Sequence, residues 1–89
     1  MQQVNLIVTG RVQGVFYRAT CQEIALGLGL KGWVRNLPTG QVEVLVQGEK
    51  DKIEKLIKWC KKGPPSAVVH DIKVEWENAV EKFNMFSVA

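Results

Sequence analysis

The chain has 89 residues, 46% of them apolar and 24% charged, with a formal net charge of +3. That is enough for one globular core and too short for a second, so one domain over residues 1–89 is expected. The composition excludes a disordered chain, and the small positive charge does not by itself imply nucleic acid. The longest apolar runs fall far short of the ~20 residues a bilayer span needs, so no membrane partner is expected. The amino terminus, MQQVNLIV, lacks the basic start and cleavage site of a secretory signal, and a cytoplasmic protein is the default expectation.

Val4, Leu6 and Val8 alternate with Gln3, Asn5, Ile7 and Thr9, the period of a strand. Gly10 to Phe16 reads as a loop. From Tyr17 the period changes: Tyr17, Cys21, Ile24, Ala25 and Leu28 form one stripe of an amphipathic helix. Gly29 is placed to end that helix in the left-handed conformation. Lys31–Asn36 is a short strand. Leu37-Pro38-Thr39-Gly40 is a tight turn leading into Gln41–Gln47, where Val42, Val44 and Val46 alternate with Glu43 and Leu45.

A second helix is predicted from about Lys50 to Lys62, with Ile53, Leu56, Ile57 and Cys60 as its stripe and Trp59 beside it. Its lysines are interleaved with acids, and Asp51–Lys55 and Glu54–Lys58 have the acid-first i,i+4 order, so the basic run is a solvated helix face. Gly63-Pro64-Pro65 stops the helix. Val68–Glu77 is a strand with Ile72, Val74 and Trp76 on one face; His70 shares their parity and is read as structural. Trp33 and Trp76 are expected in or at the edge of the core. Phe83–Val88 is a short last strand.

The order is strand-helix-strand-strand-helix-strand with a terminal strand. The fold class expected is α+β, a ferredoxin-like split βαβ sandwich (βαββαβ plus a short C-terminal strand). Its antiparallel sheet carries both helices on one face.

Function has to come from a site rather than from that fold. The loop GRVQGVFYR, Gly10 to Arg18, joins a strand to a helix amino terminus, where first-turn N–H groups lack intrahelical partners and the helix dipole adds positive potential. Gly14 lets the loop turn tightly. The N–H groups of Gln13, Gly14, Val15, Phe16, Tyr17 and Arg18 can converge on one anion, with the Arg18 guanidinium gripping it through two oxygens. On spacing alone, a plain connection with a surface arginine is an equal reading. The glycine spacing is not that of a P-loop, and no GKS or GKT follows. Cys21 and Cys60 stand in no ligand-like spacing and each reads as a small buried hydrophobe, so no metal and no cofactor is expected.

Val12-Gln13-Gly14-Val15, followed by Phe16, Tyr17 and Arg18, resembles the first signature of the acylphosphatase family. Gly32-Trp33-Val34-Arg35-Asn36 with Gly40, Val42 and Gly48 resembles the second. GPPSAVV and the closing Phe83 strand fit as well, so the likeness spans nearly the whole chain. Thr39 stands where many members carry Asp, and Phe86 and Val88 depart from the usual C-terminal pattern. The resemblance implies hydrolysis of the carboxyl-phosphate anhydride of a small-molecule acyl phosphate, without metal. Arg18 would hold the phosphate and Asn36 the attacking water, and inorganic phosphate would be product and inhibitor. Arg35 is expected to be a solvent-facing neighbour.

The alternative is a non-catalytic anion-binding module. Acylphosphatase-like domains also occur within larger maturation proteins; the chain's ending after one domain is taken to favour a free-standing enzyme. RNA binding on this strand order would need aromatics exposed on the central strands, and Gln41–Gln47 offers none. A monomer is expected, because one core consumes both helical stripes.

Overall fold

The structure is a computed structural model that describes residues 2–79 and 81–89. Its elements are β1 (Gln2–Arg11), α1 (Tyr17–Gly27), β2 (Lys31–Asn36), β3 (Val42–Gly48), α2 (Lys50–Lys62), β4 (Val68–Glu77) and β5 (Phe86–Val88). The strands form one sheet in the order β4-β1-β3-β2-β5. β1 pairs antiparallel with both β3 and β4, and β2 pairs antiparallel with β3. β5 runs parallel to β2, so the five-stranded sheet is mixed at that edge. The helices pack on one face, as the single apolar stripe on each requires. No helix among the described residues is long and apolar enough to cross a membrane.

The core follows the alternation of the strands. Val4, Leu6 and Val8 of β1 and Val42, Val44 and Val46 of β3 are fully buried. They meet Tyr17, Cys21 and Ala25 of α1 and Ile53, Leu56 and Cys60 of α2. Trp59 packs at the edge of this cluster, its ring 5.2 Å from that of Tyr17. The Tyr17 hydroxyl donates to the Cys60 carbonyl at 2.7 Å and so staples α1 to the end of α2. Burial pushes the phenol's pKa up, which keeps it a neutral donor.

Both cysteines are free and buried. A hydrogen bond to the Cys60 side chain, and then burial, raise the pKa of the Cys21 thiol well above its ordinary value. It is held protonated within the core, the opposite of what a nucleophile needs.

The far face of the sheet is polar. Arg35 reaches Glu43 at 2.7 Å and lies 4.7 Å from the Trp33 ring centroid, while Asn5 donates to the same carboxylate at 3.0 Å. At Gly32 the β2 and β3 backbones leave no room for a side chain. A Cβ there would lie 1.9 Å from the Leu45 carbonyl oxygen, and φ is +134°.

Three readings of the sequence need adjusting. His70 is exposed, because the β1–β4 register shifts between Thr9 and Gly10 and the extra residue on β4 is turned out of the alternation. Trp76 is 42% exposed: β4 is an edge strand, and the ring sits beside Lys50 rather than in the core. The last strand begins at Phe86, not Phe83. The backbone before it is held by the buried Gln47 side chain, which donates to the Glu81 carbonyl and accepts from the Phe83 N–H.

Candidate active site

The loop between β1 and α1 is anchored at both ends by buried side chains, Val12 and Tyr17. Between them the chain stands away from the core. Gly14 has φ +73°, and a Cβ built on it would meet nothing within 4 Å, so the glycine supplies the turn and leaves the approach to the loop open. Phe16 is the N-cap of α1 and has φ 66° and ψ 17°, the left-handed conformation. For a bulky residue this costs about 1–2 kcal/mol.

The consequence for the amides is direct. Thr20 is the first residue of this region whose N–H is bonded, to the Phe16 carbonyl at 3.1 Å. Among the described residues, no backbone or side-chain acceptor is bonded to the N–H groups of Gln13, Gly14, Val15, Phe16, Tyr17 or Arg18. These six unbonded donors, in the loop and the first turn of α1, form a zone of positive potential.

Arg18 lies in the first turn of α1 and is partly exposed. Its Nη1 donates to the main-chain oxygen of Ala89 at 3.1 Å. Arg18 shares a pocket of about 290 Å³ with Val12, Gly14, Phe16, Tyr17, Ala19 and Val88. The lining contains no carboxylate and no imidazole.

Asn36 is the last residue of β2, opposite Val42 of β3. Its Oδ1 is buried and has no hydrogen-bond partner among the described residues. A buried carboxamide oxygen left unpaired costs about 1–3 kcal/mol, so it calls for an explanation other than stability.

Two links hold Asn36 at the same end of the sheet as the loop. The Gln13 side chain crosses to the β2–β3 turn, its Nε2 donating to the Leu37 and Gln41 carbonyls at 2.8 and 2.9 Å. On the other side, the Ala89 N–H donates to Val34 at 2.8 Å, two residues before Asn36, while the main-chain oxygen of Ala89 accepts from Arg18. These bonds join the loop, the β2–β3 turn and the chain's last residue, while Asn36 is not among the residues lining the pocket that holds Arg18.

The Gln13 tie and the Phe16 conformation were not visible in the sequence. Gln13 enters the sequence reading only through its N–H, because a side chain that bonds to carbonyls 24 and 28 residues away leaves no local pattern. Val15, Phe16 and Tyr17 read as a buried trio in the sequence, and the structure leaves Phe16 exposed.

The Acylphosphatase family model matches residues 4–88. The chain is 40% identical over 87 residues to an acylphosphatase of Pelotomaculum thermopropionicum, covering 98% of this chain and 95% of that one. It is 48% identical over 87 residues to an acylphosphatase of Aeropyrum pernix, with 97% and 86% covered. The crystal structure of acylphosphatase from Bacillus subtilis superimposes with a TM-score of 0.96 at 37% identity, covering 100% of this chain and 99% of that one. With a family model that spans nearly every residue and relatives similar from end to end, the chain belongs to the acylphosphatase family.

Proposed function

We propose that this chain hydrolyses small-molecule acyl phosphates at the β1–α1 loop, with Arg18 and the N–H groups of residues 13–18 holding the phosphoryl group and Asn36 positioning water. The observation that carries the reading is the set of amides from Gln13 to Arg18 left without acceptors, in a loop that shares its pocket with the Arg18 guanidinium. Such donors cost no reorganisation at the moment of reaction, which is what stabilises charge developing on a phosphoryl group.

The chemistry asks for little else. A water oxygen attacks phosphorus as the bond from phosphorus to the carboxylate oxygen breaks. The electron pair leaves with the carboxylate, whose conjugate acid has a pKa of about 4, so no general acid is needed. A proton from the water passes to a phosphate oxygen of the substrate. Phosphoryl transfer is mainly positioning and charge stabilisation, and Arg18 with the loop amides provides positive potential of the kind a metal ion provides elsewhere. Asn36 cannot act as a base. Asn36 is itself partly exposed, and its carboxamide can hold a water in line with phosphorus. The same reading makes inorganic phosphate a product and an inhibitor, and has the chain working in the cytoplasm as a monomeric single domain.

Hydrolysis of benzoyl phosphate in the presence of EDTA tests this. The expected result is sustained turnover, a rate unaffected by the chelator, and competitive inhibition by inorganic phosphate. Phosphate binding without turnover would contradict it and would describe an anion-binding module.

A further inference from the structure

The phosphate chemistry makes no use of the Phe16 side chain. Its ring is 77% exposed, the largest exposure of any large apolar side chain in the chain's described part. A single exposed apolar residue is ordinary on a protein surface. Two further observations set this one apart. Phe16 is the one residue other than glycine with a positive φ among the described residues, so the loop holds it in a conformation that disfavours an aromatic. It also lines the same pocket as Gly14 and Arg18, and Val88, 40% exposed, lines that pocket as well. Next to it, Tyr17 turns inward and is 1% exposed, so the core takes the neighbouring ring and leaves this one in solvent.

We propose that Phe16, with Val88, forms the platform for the acyl group, and that it is a specificity-determining residue favouring flat, apolar acyl groups over acetyl. The inference rests on the proposed phosphate site. A phosphoryl group held by the loop amides carries its acyl substituent out of the cradle, and the exposed apolar side chains of the pocket shared with Arg18 are Phe16 and Val88. An aromatic acyl group can stack on the Phe16 ring and remove apolar surface from water, whereas acetyl is too small to cover it. The left-handed residue leaves its ring in solvent, in the lining of the pocket it shares with Arg18.

The test compares kcat/KM for benzoyl phosphate and acetyl phosphate in the unaltered chain and in Phe16→Asn, Phe16→Tyr and Val88→Ala. Asparagine tolerates the left-handed conformation, so the loop can keep its path without the ring. Taking the ratio of the two substrates cancels any general loss of phosphate binding and the intrinsic reactivity of each anhydride. The expected result is that the benzoyl-to-acetyl ratio falls about fivefold in Phe16→Asn, mostly through KM for benzoyl phosphate, is kept in Phe16→Tyr, and falls about twofold in Val88→Ala. An unchanged ratio in Phe16→Asn overturns the platform while leaving the phosphate site standing. No turnover of either substrate by the unaltered chain overturns the phosphate site, and the platform with it.

Discussion

Replacing Arg18 with glutamine is expected to lower kcat/KM for acyl phosphate hydrolysis by about 10²–10³, equivalent to about 3–4 kcal/mol of barrier. Inhibition by inorganic phosphate should weaken in parallel, because the guanidinium would bind the phosphate of substrate, transition state and product alike. The fold should tolerate the change. Arg18 is partly exposed, and the one side-chain hydrogen bond it makes among the described residues, to the main-chain oxygen of Ala89 at 3.1 Å, lies at the surface. Exposed contacts of this sort contribute little, so urea unfolding should shift by less than about 1 kcal/mol. An Arg18→Gln protein that keeps full activity, or whose loss of activity tracks a loss of folded protein, would remove the arginine from the mechanism.

Asn36→Ala should separate rate from stability in a way few substitutions do. The Asn36 Oδ1 is buried without a partner, so the folded state already carries its desolvation cost. Removing the carboxamide should leave the melting temperature unchanged or raise it. Without a group to orient the attacking water, kcat should fall about 10²-fold, the cost of a poorly placed reactant. KM should change little, because this carboxamide is assigned to water and not to substrate. Steady-state kinetics and thermal unfolding on one preparation decide it. A destabilised variant that keeps its kcat would make Asn36 a structural residue of the β2 end.

How much of this was legible before the structure depended on the range of the forces involved. The bounds of α2 and β4 and the start of α1 at Tyr17 follow from local periodicity and from the Gly63-Pro64-Pro65 stop, and the structure keeps them. The buried valines of β1 and β3 follow from parity. What parity could not give was anything decided by a distant partner. His70 lost its inward position to a register shift against β1, and Trp76 lost its burial to the edge position of β4. β5 begins late because Gln47, far away on β3, takes the hydrogen bonds of the segment before it. The proximity of Cys21 and Cys60 depends on how the two helices are juxtaposed, which no spacing encodes.

The site divides along the same line. The loop amides and Arg18 were legible because a strand, a glycine turn and a helix start are consecutive in sequence. The bonds that tie the loop to the segments flanking Asn36 were not. They run through Gln13 to Leu37 and Gln41, and through Ala89 to both Val34 and Arg18. These are contacts between elements that meet only once the sheet is assembled.

Titrating the protein with inorganic phosphate while following its backbone amide resonances probes the loop at the atoms that matter. The largest shifts are predicted at the N–H groups of Gln13 through Arg18, saturating at a concentration that matches the inhibition constant, with the Arg18 guanidinium moving alongside. Shifts centred on the lysine-rich face of α2, or an undisturbed loop at phosphate concentrations that inhibit the enzyme, would contradict it.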